Sequence, residues 1–314
     1  MSGGGFATGP LAKERRLHML QVVVVADGGL HPEAEVGVGF GEVASVFSKC
    51  LREHGAEVWA YDVLRKAGTE GVRFGSLPEV AGNAGYVLST VTTQAARGAA
   101  LACAAHLKPG QVYVDLNSTA PSVKQELAGI IAPSGADFVE GAILGAVGAA
   151  GAATRILTGG PKAPEVAATL CRLGLNVCSY SSQIGPASTF KMLRSIFSKG
   201  LEALLLELLI AGRRAGLAQD LWKDVVDFMT RHPFEEVASN WVRTHPLAHQ
   251  RRYHEMVQVL ETMREVGVDP VMSAATAALF ERSGSLGLAE AFPEKPASLE
   301  AVIEFMERRL GKPA

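Results

Sequence analysis

The stretch Gly39-Phe40-Gly41-Glu42-Val43-Ala44 has the pattern G-x-G-x-x-A and leads into a predicted helix over residues 45–54. In this pattern the first glycine permits a tight turn, the second lets the backbone approach a pyrophosphate, and the small alanine lets the helix pack closely on a strand. The start of the helix then faces the phosphate charge. A glycine turn without a ligand gives the same short pattern, so neighbouring residues must support the interpretation.

An acidic residue after the next predicted strand, at 57–61, supports a dinucleotide site. Asp62 follows that strand, about 20 positions after the glycines. It would hydrogen-bond the adenosine ribose and repel a 2′-phosphate, which favours NAD, whereas Arg65 leaves NADP open. We therefore predict NAD or NADP in contact with Gly39, Phe40, Gly41, Glu42, Val43, Ala44, Asp62 and Arg65, and with Val91 and Thr92 at a later strand end.

Two segments compete for the first strand of this domain. Residues 36–38 run directly into the glycine turn, but Glu33 and Glu35 precede them, where a buried parallel strand should be almost continuously apolar. Either this strand is short, or the β-branched run at 21–25 completes the sheet. Residues 1–18 are Gly-rich and then basic, and we predict a disordered leader there.

Strands and helices then alternate, which predicts βαβ units and a mostly parallel sheet. The predicted strands cover 85–91, 112–116, 137–140, 155–158 and 177–180; the predicted helices cover 95–107, 121–132 and 161–173, with a loop at 141–153. Ligands bind beyond the carboxyl ends of parallel strands. The strand ends at Val91-Thr92, Asn117-Ser118 and 141–145 should therefore line one crevice.

From residue 185 the pattern becomes helical. A helix from Gly185 to about Gly212 carries Lys191 and Ser195 on one face, at the seam with the first domain. Its later part is apolar nearly all round, which predicts burial in the core or against a second copy of the chain. Further helices are predicted at 221–230, 234–242, 249–266, 271–282 and 299–310.

The predicted fold class is therefore α/β. A Rossmann-type, mostly parallel sheet domain at 19–184 binds the dinucleotide, and an all-α domain at 185–314 serves substrate binding and dimerisation. We expect a homodimer.

Composition excludes several classes of protein. The net charge of −2 offers no basic surface for nucleic acid, and no uncharged apolar run reaches the roughly 18 residues of a membrane span. The four cysteines lack C-x-x-C spacing, which favours buried free thiols. His245 and His249 lie four apart, but Pro246 follows the first and no metal-binding spacing is present, so we predict no metal. We expect a soluble, cytoplasmic protein acting on a small molecule.

Four motifs together resemble the β-hydroxyacid dehydrogenase superfamily, which includes 3-hydroxyisobutyrate and 6-phosphogluconate dehydrogenases. They are GFGEVA at 39–44, DLNSTAP at 115–121, FVEGA at 138–142 and GPASTFK at 185–191. The later part of the chain is similar to a poorly characterised 6-phosphogluconate dehydrogenase-like branch with its own helical C-terminal domain.

The resemblance implies that Lys191 is the general acid/base of hydride transfer to or from nicotinamide. Such a lysine needs a depressed pKa, for which Arg194 could supply a nearby cation. The resemblance also implies that Asn117 and Ser118 bind the substrate, with a backbone N–H from Gly145. Asn and Ser at this position would equally suit capping of the following helix.

Several residues depart from the family pattern. Ser195 stands where the family usually has asparagine, and Leu144-Gly145-Ala146 replaces a Ser-Gly-Gly loop, which suggests a bulkier or more apolar substrate. Ser198 replaces the acidic residue of the decarboxylating enzymes, so we expect no decarboxylation.

Two other functions stay open. An imine reductase shares the architecture, although such enzymes usually lack the lysine, and a non-catalytic cofactor-binding protein would be consistent with the changes at Leu144 and Ser195. Arg251, Arg252 and His254 would either close over an acidic substrate or form a solvated helix end.

Overall fold

A computed structural model of the chain describes residues 21–26, 41–62 and 71–311. The predictions for the leader at 1–18, for the candidate strand at 36–38, and for Gly39, Phe40 and Arg65 lie outside these residues. The chain divides into two compact units, the first ending at Arg194 and the second beginning at Ser195.

The described part of the first unit is built on one sheet of eight strands in the order β3-β2-β1-β4-β5-β6-β7-β8. Strands β6 and β7 are antiparallel, and all other neighbouring pairs are parallel. The mostly parallel sheet is thus confirmed. The strands are β1 (Gln21–Ala26), β2 (Glu57–Asp62), β3 (Arg73–Phe74), β4 (Tyr86–Ser89), β5 (Val112–Asp115), β6 (Asp137–Leu144), β7 (Arg155–Gly159) and β8 (Val177–Ser181).

Helices connect these strands and form the second unit, as expected for a Rossmann-type domain followed by a helical one. They are α1 (Glu42–Glu53), α2 (Leu77–Asn83), α3 (Ala96–Ala104), α4 (Pro121–Ile131), α5 (Val147–Ala150), α6 (Ala163–Arg172), α7 (Pro186–Arg214), α8 (Ala218–Arg231), α9 (Phe234–Glu265), α10 (Val271–Gly284), α11 (Leu288–Ala291) and α12 (Leu299–Leu310). The sequence pattern did not predict β3, α2, α5 or α11.

The β-branched run near the start of the chain forms the first strand. β1 lies in the middle of the sheet, where Val25 is opposite Tyr61 on one side and Ser89 on the other. Helix α1 then begins at Glu42, with Gly41 as its N-cap.

Both faces of the sheet are covered, which explains why its central strands are mostly apolar. Consecutive strand residues point to opposite faces. Leu88 and Val114 therefore pack into the cluster around α1 and α6, while Val87 and Tyr113 pack into the cluster around α3 and α4.

The sequence analysis predicted a loop at 141–153, and this prediction is wrong for residues 141–144, which belong to β6. β6 continues to Leu144 because its second half pairs with β7, with Leu144 opposite Arg155. The small residues here have no recognisable strand pattern, so pairing with the antiparallel strand β7, and not the local sequence, determines that they form a strand. The short helix α5 follows.

Helix α9 is continuous through Pro246, whereas the sequence pattern predicted two helices with a break near it. A proline removes one helical hydrogen bond. Pro246 is buried, and Arg252 supports the turn before it by donating to the Trp241 carbonyl at 3.1 Å and to Thr244 Oγ1 at 2.7 Å. Burial of Pro246 and these contacts within α9 accompany the continuous helix.

His245 and His249 share a buried face of α9, with ring centroids 5.8 Å apart. A hydrogen bond of 2.9 Å joins His245 Nε2 to Ser283 Oγ on α10, and His249 Nδ1 donates to the Pro246 carbonyl at 3.0 Å. Burial, and then the neighbouring His249, lower the pKa of His245 to about 4. The His245 ring therefore packs as an uncharged group near neutral pH.

Glu207 of α7 holds the start of α10 within the second unit. Its carboxylate accepts hydrogen bonds from the Met272 N–H at 2.7 Å, the Ser273 N–H at 2.9 Å and Ser273 Oγ at 2.6 Å. Burial raises the pKa of Glu207, but these donors outweigh it and leave the pKa below its ordinary value. A carboxylate at a helix N-terminus is stabilised by the unsatisfied N–H groups there.

Two features of the surface bear on the sequence expectations. Ile196, Phe197 and Leu206 of α7 are exposed in the single chain, so its apolar residues do not all enter the core. The four cysteines are free, but only Cys50 and Cys103 are buried, so the prediction of buried thiols is wrong for Cys171 and Cys178. None of the helices in the described ranges combines the length and apolar character that crossing a bilayer requires.

Candidate active site

A buried glutamate fixes the start of helix α7 on the sheet. Glu140 of β6 is fully buried, and its carboxylate accepts from the Gly185 N–H at 2.7 Å, the Ala187 N–H at 3.1 Å and Ser188 Oγ at 2.5 Å. Gly159 on β7 makes room for it, since an added Cβ there would lie 2.4 Å from Glu140 Oε1. The carboxylate thus satisfies N–H groups that a helix N-terminus leaves unpaired.

Sequence reasoning gave Glu140 no role. The available signal was an acidic residue inside an otherwise apolar strand segment, because such a residue needs buried donors.

A second buried charge lies where β5 ends. Lys124 and Asp115 are both completely buried, and Lys124 Nζ donates to Asp115 Oδ2 at 2.5 Å, to the Asp115 carbonyl at 2.9 Å and to the Asn117 carbonyl at 2.7 Å. Asn117 Nδ2 donates to Asp115 and to Ser89 Oγ. These bonds fix the backbone turn that carries Asn117 and Ser118.

Lys124 is the other residue that sequence reasoning missed. It precedes Leu127 and Ile131 at helical spacing, and all three are fully buried on α4. A lysine in register with an apolar helix face was therefore the signal that its side chain points into the core.

Polar and apolar residues from several strand ends enclose a cavity of about 270 Å³. Its lining includes seven residues predicted for the site: Glu42, Val43, Val91, Asn117, Ser118, Gly145 and Lys191. Thr90, Leu116, Ile143, Ala146 and Val147 complete it.

The remaining predicted residues of the described chain lie elsewhere. Ala44 is a buried residue of α1, Asp62 is a buried residue at the end of β2, and Thr92 is an exposed residue just beyond the lining residue Val91. Ser195 belongs to the second unit. Leu144 packs near Phe190 against a small core cluster and does not line the cavity.

Lys191 is the partly buried cation of this cavity. Its Nζ donates to Ser118 Oγ, which places the ammonium group at the end of β5. Burial, and then the charge of Lys124, lower the pKa of Lys191 to about 8, while Asp115 acts in the opposite sense. The cation that lowers this pKa is therefore Lys124, and not Arg194 as the sequence suggested.

Two features around the cavity fit a nicotinamide dinucleotide. Gly41 is the N-cap of α1 and makes no side-chain hydrogen bond. The first N–H groups of this 12-residue helix can therefore donate hydrogen bonds to phosphate oxygens. Asn117 Oδ1 is buried and has no hydrogen-bond partner among the described residues, so it can accept from an amide or hydroxyl group. Bound there, NAD(P) would supply the hydride chemistry.

The fold and this cavity define an NAD(P)-binding domain of the hydroxyacid dehydrogenase type. Residues 36–179 match the model of the NAD-binding domain of 6-phosphogluconate dehydrogenase, and residues 213–283 match a domain of unknown function, DUF1932. The chain belongs to the family that combines these two domains.

Individual relatives agree with this assignment. A solved protein of unknown function, which is structurally similar to 3-hydroxyacid dehydrogenases, is 31% identical and aligns over 88% of this chain and 100% of its own, with a TM-score of 0.54. The 2-(hydroxymethyl)glutarate dehydrogenase of Eubacterium barkeri is 22% identical over 87% of this chain and 95% of its own. An imine reductase from Myxococcus stipitatus in complex with NADP⁺ shares the fold at a TM-score of 0.70, with 15% identity over 91% of this chain and 100% of its own.

Replacing Glu140 tests the buried cap. In Glu140→Gln an amide NH₂ would face the backbone N–H donors of α7, so we expect a loss of about 2 kcal/mol in the free energy of unfolding, measured with urea. Glu126→Gln, which breaks an exposed pair with Arg97, should change it by less than about 0.5 kcal/mol. Equal unfolding midpoints for the two variants would contradict the assignment.

Proposed function

We propose that the chain is an NAD(P)-dependent oxidoreductase that moves hydride between nicotinamide and a β-hydroxy acid or a related alcohol or carbonyl compound, with Lys191 as general acid/base. The observation that supports this most directly is the position of Lys191. Its ammonium group lies in a cavity at the strand ends, bonded to Ser118, with a pKa lowered to about 8. A lysine of that pKa exchanges a proton near neutral pH, as acid/base catalysis requires.

The residues around Lys191 suggest how a substrate is held. In the oxidative direction, neutral Lys191 accepts the hydroxyl proton as the carbon loses hydride. Ser118 Oγ can donate to a carboxylate or hydroxyl oxygen of the substrate, and Asn117 Oδ1, which has no partner among the described residues, can accept from a substrate hydroxyl. Gly145 offers a backbone N–H beside the same cavity. Ser195 adds a hydroxyl one helical turn after Lys191, with a shorter reach than an asparagine. Because Ser198 offers no carboxyl group, no decarboxylation accompanies hydride transfer.

Asp62 bears on the choice of cofactor. It ends β2 as a buried carboxyl residue, and a carboxylate there hydrogen-bonds a ribose and repels a 2′-phosphate. We therefore propose NAD as the preferred cofactor and NADP as the alternative. The Myxococcus imine reductase was crystallised with NADP⁺ and a variant of it with NAD⁺, so the fold accommodates both.

An imine reductase is the second candidate, favoured by the shared fold. At 15% identity the likeness shows the fold alone. Lys191 argues for hydroxyl rather than imine chemistry, because an alcohol oxidation needs a base at the hydroxyl oxygen.

Turnover by Lys191 variants separates the candidates. With a panel of hydroxy acids, carbonyl compounds and cyclic imines, we expect oxidation of a hydroxy acid whose rate rises with pH and levels off above about pH 8, as Lys191 loses its proton. Lys191→Ala should keep nucleotide binding and lose at least about 100-fold in kcat. Lys199→Ala, an exposed lysine on the same helix, is the matched control and should be unchanged.

Two results with this panel of compounds would contradict the proposal. Imine reduction that survives in Lys191→Ala would favour the second candidate. Nucleotide binding without turnover on any compound would indicate a non-catalytic cofactor-binding protein.

We also propose a homodimer formed through α7. Ile196 is 71% exposed and Phe197 is 55% exposed, and Leu206 and Ile210 add further exposed apolar surface. Exposed apolar side chains in such number on one helix are typical of a protein interface.

Light scattering tests the dimer. We expect twice the chain mass at micromolar concentration, and a shift towards the monomer in Ile196→Asp, because a charge at the centre of an apolar interface is costly. Leu101→Asp, at an exposed leucine of the first unit, should leave the mass unchanged. A wild-type monomer would overturn the proposal.

A further inference from the structure

We infer that Lys124 is a positioning residue for Lys191: it fixes the Asn117–Ser118 turn to which Lys191 is bonded, and it places a buried cation, paired with Asp115, close to it. This inference rests on the proposed function in one respect, namely that Lys191 is the acid/base.

The hydrogen bonds connect the two lysines through only a few atoms. Lys124 Nζ donates to the Asn117 carbonyl at 2.7 Å, and Asn117 is followed directly by Ser118. Ser118 Oγ in turn accepts from Lys191 Nζ. Lys124 also donates to the Asp115 carbonyl and reaches the Gly141 carbonyl at 3.4 Å, so it joins β5, the turn and β6. The turn cannot shift without breaking bonds to Lys124.

Packing alone does not account for a charge at this position. Lys124 has no exposed surface and lies in register with the apolar residues Leu127 and Ile131. A hydrophobic residue in place of a buried ion pair is often neutral or stabilising, because the pair must be removed from water. A lysine here therefore has a use beyond stability, and its nearest functional group is the Ser118–Lys191 contact.

Charges from four elements face this region. Lys124 of α4 repels the Lys191 ammonium, whereas Asp115 of β5 attracts it. Glu42 of α1 lines the same cavity, and Glu140 of β6 acts on both members of the buried pair. Among the described residues, Lys124 is the positive charge that acts on Lys191, so its removal should make Lys191 easier to protonate.

The test measures the protonation of Lys191 without substrate or nucleotide. The full chain is labelled with trace acetic anhydride at a series of pH values, and mass spectrometry follows each lysine peptide. Wild-type Lys191 should be labelled with a midpoint near pH 8. In Lys124→Met we expect this midpoint to rise by about one pH unit. Lys124→Arg retains the charge and should stay within about 0.3 units of wild type, since the cation persists.

Matched controls separate this effect from general damage. Lys162→Met removes an exposed lysine of the first unit and should leave the Lys191 midpoint unchanged, and the labelling of exposed Lys199 should be constant in every variant. If Lys124→Met does not fold, Lys124→Met with Asp115→Asn removes both charges and avoids an unpaired buried carboxylate. It should show a smaller rise of the same sign.

An unchanged Lys191 midpoint in Lys124→Met, or in the double variant, would overturn the inference. For an active enzyme the pH profile of kcat should move with the labelling midpoint, which a purely structural role would not cause. A raised midpoint in a protein without turnover would leave the coupling intact and contradict the proposed function instead.

Discussion

The hydrogen bonds between Glu140 and the N-terminus of α7 are the constraint on which the site depends. A carboxylate in the middle of a sheet would be costly if it had no donors, and the start of a helix has donors without partners. The carboxylate therefore gains donors and the helix N–H groups gain an acceptor. As a result, the helix must begin over β6 and β7. Lys191 lies less than two turns from that cap. Lys191 lies at the strand ends because Glu140, which has no part in the proposed chemistry, binds the N-terminus of α7.

The same device recurs on the second half of the helix, where Glu207 receives the first N–H groups of α10. In both cases a serine hydroxyl, Ser188 or Ser273, completes the set of donors. A buried carboxylate fixes both the position and the direction of the helix that it caps, whereas an apolar contact would allow sliding. The positions of polar groups in the core thus determine where the helices lie.

The Lys124–Asp115 pair has the corresponding role on the opposite side of Lys191. It lies under the polar end of β5 and holds the turn that presents Asn117 and Ser118 to the cavity. Two lysines and one hydroxyl therefore form a short series in which the buried cation is fixed and the outer one can titrate. Burial and the charge of Lys124 lower the pKa of the outer lysine, Lys191, to about 8, which is the value that the proposed acid/base role requires.

Much of the architecture could be predicted from sequence because its periodicity is strong. The alternation of apolar runs with helices indicated the parallel sheet, and the polar residues after the strands indicated where a ligand would bind. The failures share one cause, which is that distant residues decided the outcome. β6 was extended by pairing with β7, and Glu140 acquired its role from α7.

Lys124 is a second example of a contact that the local sequence could not predict. Its spacing with Leu127 indicated an inward direction, but no local pattern could reveal that Asp115 would meet it there.

The most direct measurement is a fluorescence titration of the purified full chain with NADH and with NADPH. The account predicts saturable binding with enhanced nicotinamide emission, and tighter binding of NADH because of Asp62. If neither nucleotide binds at millimolar concentration, the cavity beside Lys191 is not a dinucleotide site and the account is contradicted.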